Sequence, residues 1–152
     1  LNEGLAVQFE DFDLDGMRPV FRPQRNLIRK NALREALSLP DGLVPMQRFL
    51  SMHAGDAVTR TGQPARGYYA QAWATVLFLR ENSAYRDRLA RLLADVGTDR
   101  LRTNLLAYRA TAPNAAAMSD GEVVFRRYLS EDLDAFTDEL RDYARSLVFG
   151  GR

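Results

Sequence analysis

Tyr68-Tyr69-Ala70-Gln71-Ala72-Trp73-Ala74-Thr75-Val76-Leu77-Phe78-Leu79-Arg80-Glu81 is the longest apolar stretch of the chain, and its reading decides the fold. Tyr69, Ala72, Trp73, Val76 and Leu77 recur at three- and four-residue spacing, which sets them along one stripe of a helix. A helix this apolar is expected at the centre of a helical core. Its uninterrupted part, residues 72–79 with Thr75 inside, is far shorter than the roughly 20 residues that cross a bilayer, so no membrane span is expected.

The same period continues outward. Downstream, Ser83 is a candidate cap for a helix carrying Tyr85, Leu89, Leu92 and Val96 on one face, with Gly97 at its end. Thr98 then precedes Leu101, Leu105 and Tyr108, a pattern broken at Pro113. Ser119-Asp120-Gly121-Glu122 has the spacing of a capping box, and Ser130-Glu131-Asp132 opens a last helix through Leu133, Phe136, Leu140, Tyr143 and Leu147 before Gly150-Gly151. Upstream, residues 54–67 hold three Gly and one Pro and read as a loop, while Pro45 suits the first position of a short helix over 46–52. A helix over 24–39 is stopped by Pro40-Asp41-Gly42, and one over 1–10 opens the chain. Between them the acidic turn Asp11-Phe12-Asp13-Leu14-Asp15-Gly16, followed by Pro19 and Pro23, suits a short hairpin. The expected fold is all-α: one compact bundle of about six or seven helices over residues 1–152, with no sheet beyond a small hairpin near 11–23.

Composition agrees with an ordinary folded domain, at 46% hydrophobic and 27% charged residues. With no cysteine, disulfides and thiolate metal sites are excluded, which leaves the compartment open. A net charge of +1 does not mark a nucleic-acid binder, and none is expected as a partner. The basic residues are almost all arginine, Lys30 being the single lysine, a bias better ascribed to genomic base composition than to a binding role. The chain opens Leu1-Asn2-Glu3-Gly4 with no initiator methionine, and its natural start is expected to lie upstream.

Two segments carry a resemblance. Leu1-Asn2-Glu3-Gly4-Leu5-Ala6 is similar to the third-ligand helix of gluzincin metallopeptidases, in which Asn-Glu-x-x-Ala or a close variant lies downstream of an His-Glu-x-x-His helix. Tyr69-Ala70-Gln71-Ala72-Trp73-Ala74 resembles the Tyr-x-x-Ser/Ala-Trp helix of peptidase-MA-like proteins, a bacterial group that includes domain-of-unknown-function families, and residues 136–147 resemble their closing helix. The resemblance implies that the chain is the C-terminal part of a larger zinc-dependent peptidase domain acting on peptides or proteins. In that parent Glu3 is the third zinc ligand and Tyr69 the phenol that donates to the developing oxyanion, the alternative for Tyr69 being a core or rim residue.

The sequence departs from the family in two places. It has no His-Glu-x-x-His, and its one histidine, His53, stands alone and reads as a helix-end or surface residue. The carboxylate usual four residues after the ligand is replaced by Val7. Glu10, about 10 Å along the helix from Glu3, is too distant to share the first shell of one metal. The chain alone is therefore expected to hold no zinc and to hydrolyse nothing, and a helical module that binds a peptide or protein is the alternative reading. With the partner helix missing, Leu1, Leu5 and Phe9 are expected to be partly uncovered or paired with a second copy of the chain.

Two weaker patterns remain. Asp11, Asp13, Asp15 and Gly16 match the start of an EF-hand loop, but Arg22 occupies the place of its final glutamate, which favours a plain acidic turn. Arg18, Arg22, Arg25, Arg29, Lys30 and Arg34 form a basic stretch with no balancing acid before Glu35. It reads as a solvated helix face rather than a phosphate or nucleic-acid site, and it is the patch singled out for testing.

Overall fold

The structure is a computed structural model that describes residues 1–40, 42–52 and 65–150; His53 and Asp41 lie outside the described residues. Those residues are mostly α, with a single two-stranded antiparallel hairpin among them. The elements run α1 (Asn2–Ala6), β1 (Phe12–Asp15), β2 (Arg18–Phe21), α2 (Leu27–Ser38), α3 (Met46–Ser51), α4 (Ala65–Glu81), α5 (Ser83–Asp95), α6 (Asp99–Thr111), α7 (Asp120–Tyr128) and α8 (Leu133–Phe149). Eight helices thus stand among the described residues where six or seven were expected, two of them only five and six residues long.

The chain divides into two compact units. Unit 1 comprises residues 1–44, 52–78 and 138–152, and unit 2 residues 45–51 and 79–137. In α4 every residue from Ala70 to Leu79 is buried, as expected of a helix apolar on all sides. Its two polar members are satisfied inside unit 1. Gln71 exchanges two 2.8 Å hydrogen bonds with the main chain of Val44, and the Thr75 hydroxyl donates to the Gln71 carbonyl. Arg34 on α2 donates to the Val148 carbonyl, tying α2 to the end of α8.

Unit 2 is organised by caps. Ser119 accepts from the Glu122 amide, as the capping-box spacing requires, but the Glu122 carboxylate turns to Arg126 instead of reaching back. Asp132 Oδ1 accepts from the amides of Asp134 and Ala135 and starts α8. Arg88 donates to the Leu129 carbonyl past the end of α7. Gly121 lies where α7 meets α3: a Cβ there would fall 2.2 Å from the Leu50 carbonyl oxygen, so no larger residue fits without backbone movement. Phe136 joins Phe125 and Tyr85 edge-to-face, with ring centroids 4.7 and 5.3 Å apart.

Several expected boundaries differ. The first helix stops at Ala6 and tightens into a 3-10 turn over Val7–Phe9, so its buried face is Gly4, Val7 and Gln8. Of the expected uncovered residues, Phe9 is exposed and Leu1 and Leu5 are half-buried. The helix expected from residue 24 begins at Leu27, because Pro23–Arg25 form a separate 3-10 turn and Asn26 is the cap, its side chain accepting from the Arg29 amide. The cap of α5 is Asn82 rather than Ser83, which becomes its first helical residue. Helix α4 begins at Ala65, inside the expected loop.

Candidate functional site

The two segments that carry the resemblance lie against each other in unit 1. Gly4 is buried on α4 so closely that a Cβ would stand 2.5 Å from the Ala72 carbonyl oxygen and 2.7 Å from Val76 Cγ2. Only glycine permits that approach. One turn on, the buried Gln8 amide donates to Gly4 O at 2.9 Å and to Trp73 O at 3.2 Å. The indole of Trp73 in turn donates to Pro23 O at 3.1 Å, which fastens the start of α2 to the same helix. Val7 is a core residue here.

This seating sets Glu3 beside the paired tyrosines at the start of α4. Burial pushes the Tyr68 phenol above its ordinary range, and the negative charge of Glu3 adds to the rise. The rings of Tyr68 and Tyr69 meet edge-to-face at 5.5 Å, so Tyr69 is linked to Glu3 through Tyr68. The other side of Tyr69 is taken by the Arg29 guanidinium, 5.4 Å from its ring centroid. Arg29 forks onto both oxygens of Glu10, and the buried Asn26 side chain donates to Glu10 at 3.1 Å. Those bonds, Arg29's first, hold the Glu10 carboxyl below the ordinary carboxylate range.

The arrangement is therefore Tyr68, Tyr69, Arg29 and Glu10 in sequence of contact, with the Glu3 charge acting on Tyr68 from α1. Glu3 and Tyr69 were legible from their motifs. Tyr68, Arg29 and Glu10 were missed as a group, since Glu10 and Arg29 are nineteen residues apart and neither belongs to a motif. The only local signal was the acceptor-donor order of an acidic turn followed by a basic stretch.

The zinc implied by the resemblance does not fit these residues alone. Among the described residues no three His, Cys, Asp or Glu are grouped to share a metal ion, and one carboxylate beside two phenols falls short of the three protein ligands a catalytic zinc requires. What the arrangement offers is a carboxylate and two phenols, one of them held against a guanidinium: hydrogen-bond donors and acceptors suited to positioning a polar group. The calcium-loop alternative finds Asp13 already engaged, 2.7 Å from both Arg22 and Arg25. No known protein family, curated protein or solved structure matches the chain.

Proposed function

We propose that the chain is the helical portion of a gluzincin-like peptidase that contributes Glu3 and Tyr69, and that by itself it hydrolyses nothing. The observation in favour is the glycine-dependent seat of α1 on α4, which keeps Glu3 next to the Tyr68–Tyr69 pair. Nothing in the Asn-Glu-x-x-Ala or Tyr-x-x-Ala-Trp pattern demands that the two helices touch. The test is to express the chain together with the coding sequence upstream of Leu1. The longer protein is expected to supply an His-Glu-x-x-His segment and to bind zinc, and Glu3→Gln to weaken zinc by more than the roughly 10-fold that losing even an outer-shell partner of a ligand costs. Tyr69→Phe is expected to lower kcat with KM little changed, as for a contact made in the transition state. Absence of that segment, or zinc affinity indifferent to Glu3→Gln, defeats the reading.

A different observation favours the alternative, a module that binds a protein or peptide. The cross-strand pairs Phe12 with Phe21 and Leu14 with Pro19 give the hairpin one apolar face, and Leu14 is 68% exposed. Phe9 extends that face by stacking edge-to-face on Phe21 at 5.0 Å. Isolated two-stranded hairpins are marginal, and exposed apolar faces mark contact surfaces. Leu14→Glu distinguishes the readings: it abolishes partner binding under the second and leaves zinc affinity of the longer protein unaltered under the first.

A further inference from the structure

Unit 2 contains a cavity of about 580 Å³ that the proposed peptidase role does not use. Arg91 on α5, Arg100 on α6 and Arg127 on α7 all line it, together with Asp95, Asn104 and Tyr128. Three helices thus each contribute one arginine to the lining of one concavity. Among the described residues, none of these arginines is hydrogen-bonded or ion-paired to a carboxylate; Arg127 alone has a ring neighbour, Tyr128, at 5.6 Å. The floor is ordered. Tyr128 donates to Asp95 Oδ2 at 2.9 Å, and Asn104 donates to the same oxygen at 3.1 Å and to the Tyr128 oxygen at 2.9 Å. Burial raises the Tyr128 phenol above its ordinary range, so the hydroxyl keeps its proton for Asp95 at neutral pH. Both bonds fall on Oδ2, which among the described residues leaves Asp95 Oδ1 as an unused acceptor.

We infer that this cavity binds a small phosphomonoester with a hydroxyl-bearing body. The argument is one of charge and geometry. Three guanidinium groups and one carboxylate leave a local charge of about +2, which matches the −1.5 to −2 of a phosphomonoester at neutral pH. Guanidinium forks fit phosphate oxygens in pairs, and arginines gathered from three separate helices into the lining of one cavity suit a compact anion rather than an extended strand. A polyanion would bring further phosphates against Asp95, whereas one phosphate with a neutral hydroxylated remainder uses Oδ1 as an acceptor. The volume is within the roughly 300–1,000 Å³ of small-molecule sites.

Inorganic phosphate and ribose 5-phosphate serve as probes, titrated into the whole chain by calorimetry at low ionic strength. Saturable one-to-one binding of both is expected, ribose 5-phosphate the tighter, and each of Arg91→Ala, Arg100→Ala and Arg127→Ala is expected to weaken it about 5-fold or more, as for lost charge-assisted bonds. These side chains are exposed or at the rim, and circular dichroism of the variants is expected to be unchanged. Asp95→Asn supplies a second readout that loss of structure cannot imitate. It removes the opposing charge, so inorganic phosphate should bind about 3-fold tighter while ribose 5-phosphate loses its advantage. The paired arginines of unit 1 are the control, and Arg22→Ala with Arg25→Ala should leave both affinities as they were. No saturable binding of either probe, or affinities unmoved by the three arginine substitutions, overturns the inference. So does binding to anionic phospholipid vesicles that neither probe competes away, which would assign the arginines to a lipid headgroup.

Discussion

Two arginine-rich regions of the chain border cavities of nearly equal size, about 600 Å³ at the start of α2 in unit 1 and about 580 Å³ in unit 2, yet their charges are in opposite states. In unit 1 Arg22 and Arg25 share Asp13 and Arg29 is held by Glu10, so half of the basic stretch is paired with carboxylates in space. In unit 2 Arg91, Arg100 and Arg127 are scattered over 37 positions and, among the described residues, meet no carboxylate partner, so a sequence region of mixed charge becomes the cationic one. The cause is topology. The hairpin doubles back through residues 12–21, and its acidic first strand returns Asp13 beside the arginines that follow the second strand. A local count of like charges overlooks acids supplied by a neighbouring strand, and overlooks cations gathered from separate helices.

The comparison is broken most forcefully at a pair that is both buried and matched. Glu122 on α7 is 4% exposed in its side chain and receives Arg126 at 2.9 Å, while Arg126 also donates to the Glu131 carbonyl. Arg126→Ala strands a buried carboxylate, and a loss of about 3 kcal/mol is expected in urea unfolding. Substituting both residues together, Glu122→Gln with Arg126→Met, should recover most of it. A loss below about 1 kcal/mol for Arg126→Ala would mean that water reaches Glu122 and that the pairing is ornamental.

Arg29 comes next, with 15% of its side chain exposed against 38% for Glu10. Arg29→Ala removes the fork onto Glu10 and the contact over Tyr69, and a loss of about 1–2 kcal/mol is expected for a half-exposed charged pair of good geometry. Asn26→Ala, which removes the cap of α2 and the second bond to Glu10, should cost about the same.

Acid titration sharpens the same contrast without changing the covalent chain. Glu10 has a folded-state carboxyl lowered from 4.5, so its stabilising bonds are fully present above that value and are lost as pH falls through the lower folded one. An NMR titration should find Glu10 titrating below the ordinary carboxylate range, and moving upward in Arg29→Ala. If Glu10 titrates normally in the parent chain, its pairing with Arg29 does not persist in solution.

How much of this was legible follows the range of the interactions. The helix over Ala65–Glu81 announces itself because its apolar residues are its own, and Ser119 and Asp132 announce α7 and α8 because a cap is completed within three residues. The hairpin was readable from Asp, Gly and Pro in one short stretch. The end of α1 was not, since the helix tightens into a 3-10 turn over Val7–Phe9, from which the Gln8 side chain reaches Trp73, sixty-five residues away. The partners of the basic stretch were invisible for the same reason, and the unpaired arginines of unit 2 gave no pattern at all, being one each on α5, α6 and α7. Glu3 and Tyr69 were legible only as motif members; that Tyr68 packs on Tyr69 and feels the charge of Glu3 is a property of the packed helices.

The smallest expected effect is also the most discriminating. If Arg91, Arg100 and Arg127 are held apart from any partner, removing them forfeits no hydrogen bond or ion pair, and the triple alanine variant should unfold within about 0.5 kcal/mol of the parent chain. Three like charges around one cavity also repel, so the change should tend toward stabilisation at low ionic strength and vanish as salt shortens the screening length below about 10 Å. Arg25→Ala, which deletes an exposed pair with Asp13, should run the other way: a loss of about 0.2–1 kcal/mol at low salt that also fades as salt is added. Thermal unfolding of both variants across a salt series separates the signs. Destabilisation by the triple substitution at low salt would mean that Asp95, which lines the same cavity, pairs with those arginines in solution, and the contrast between the two regions would disappear with it.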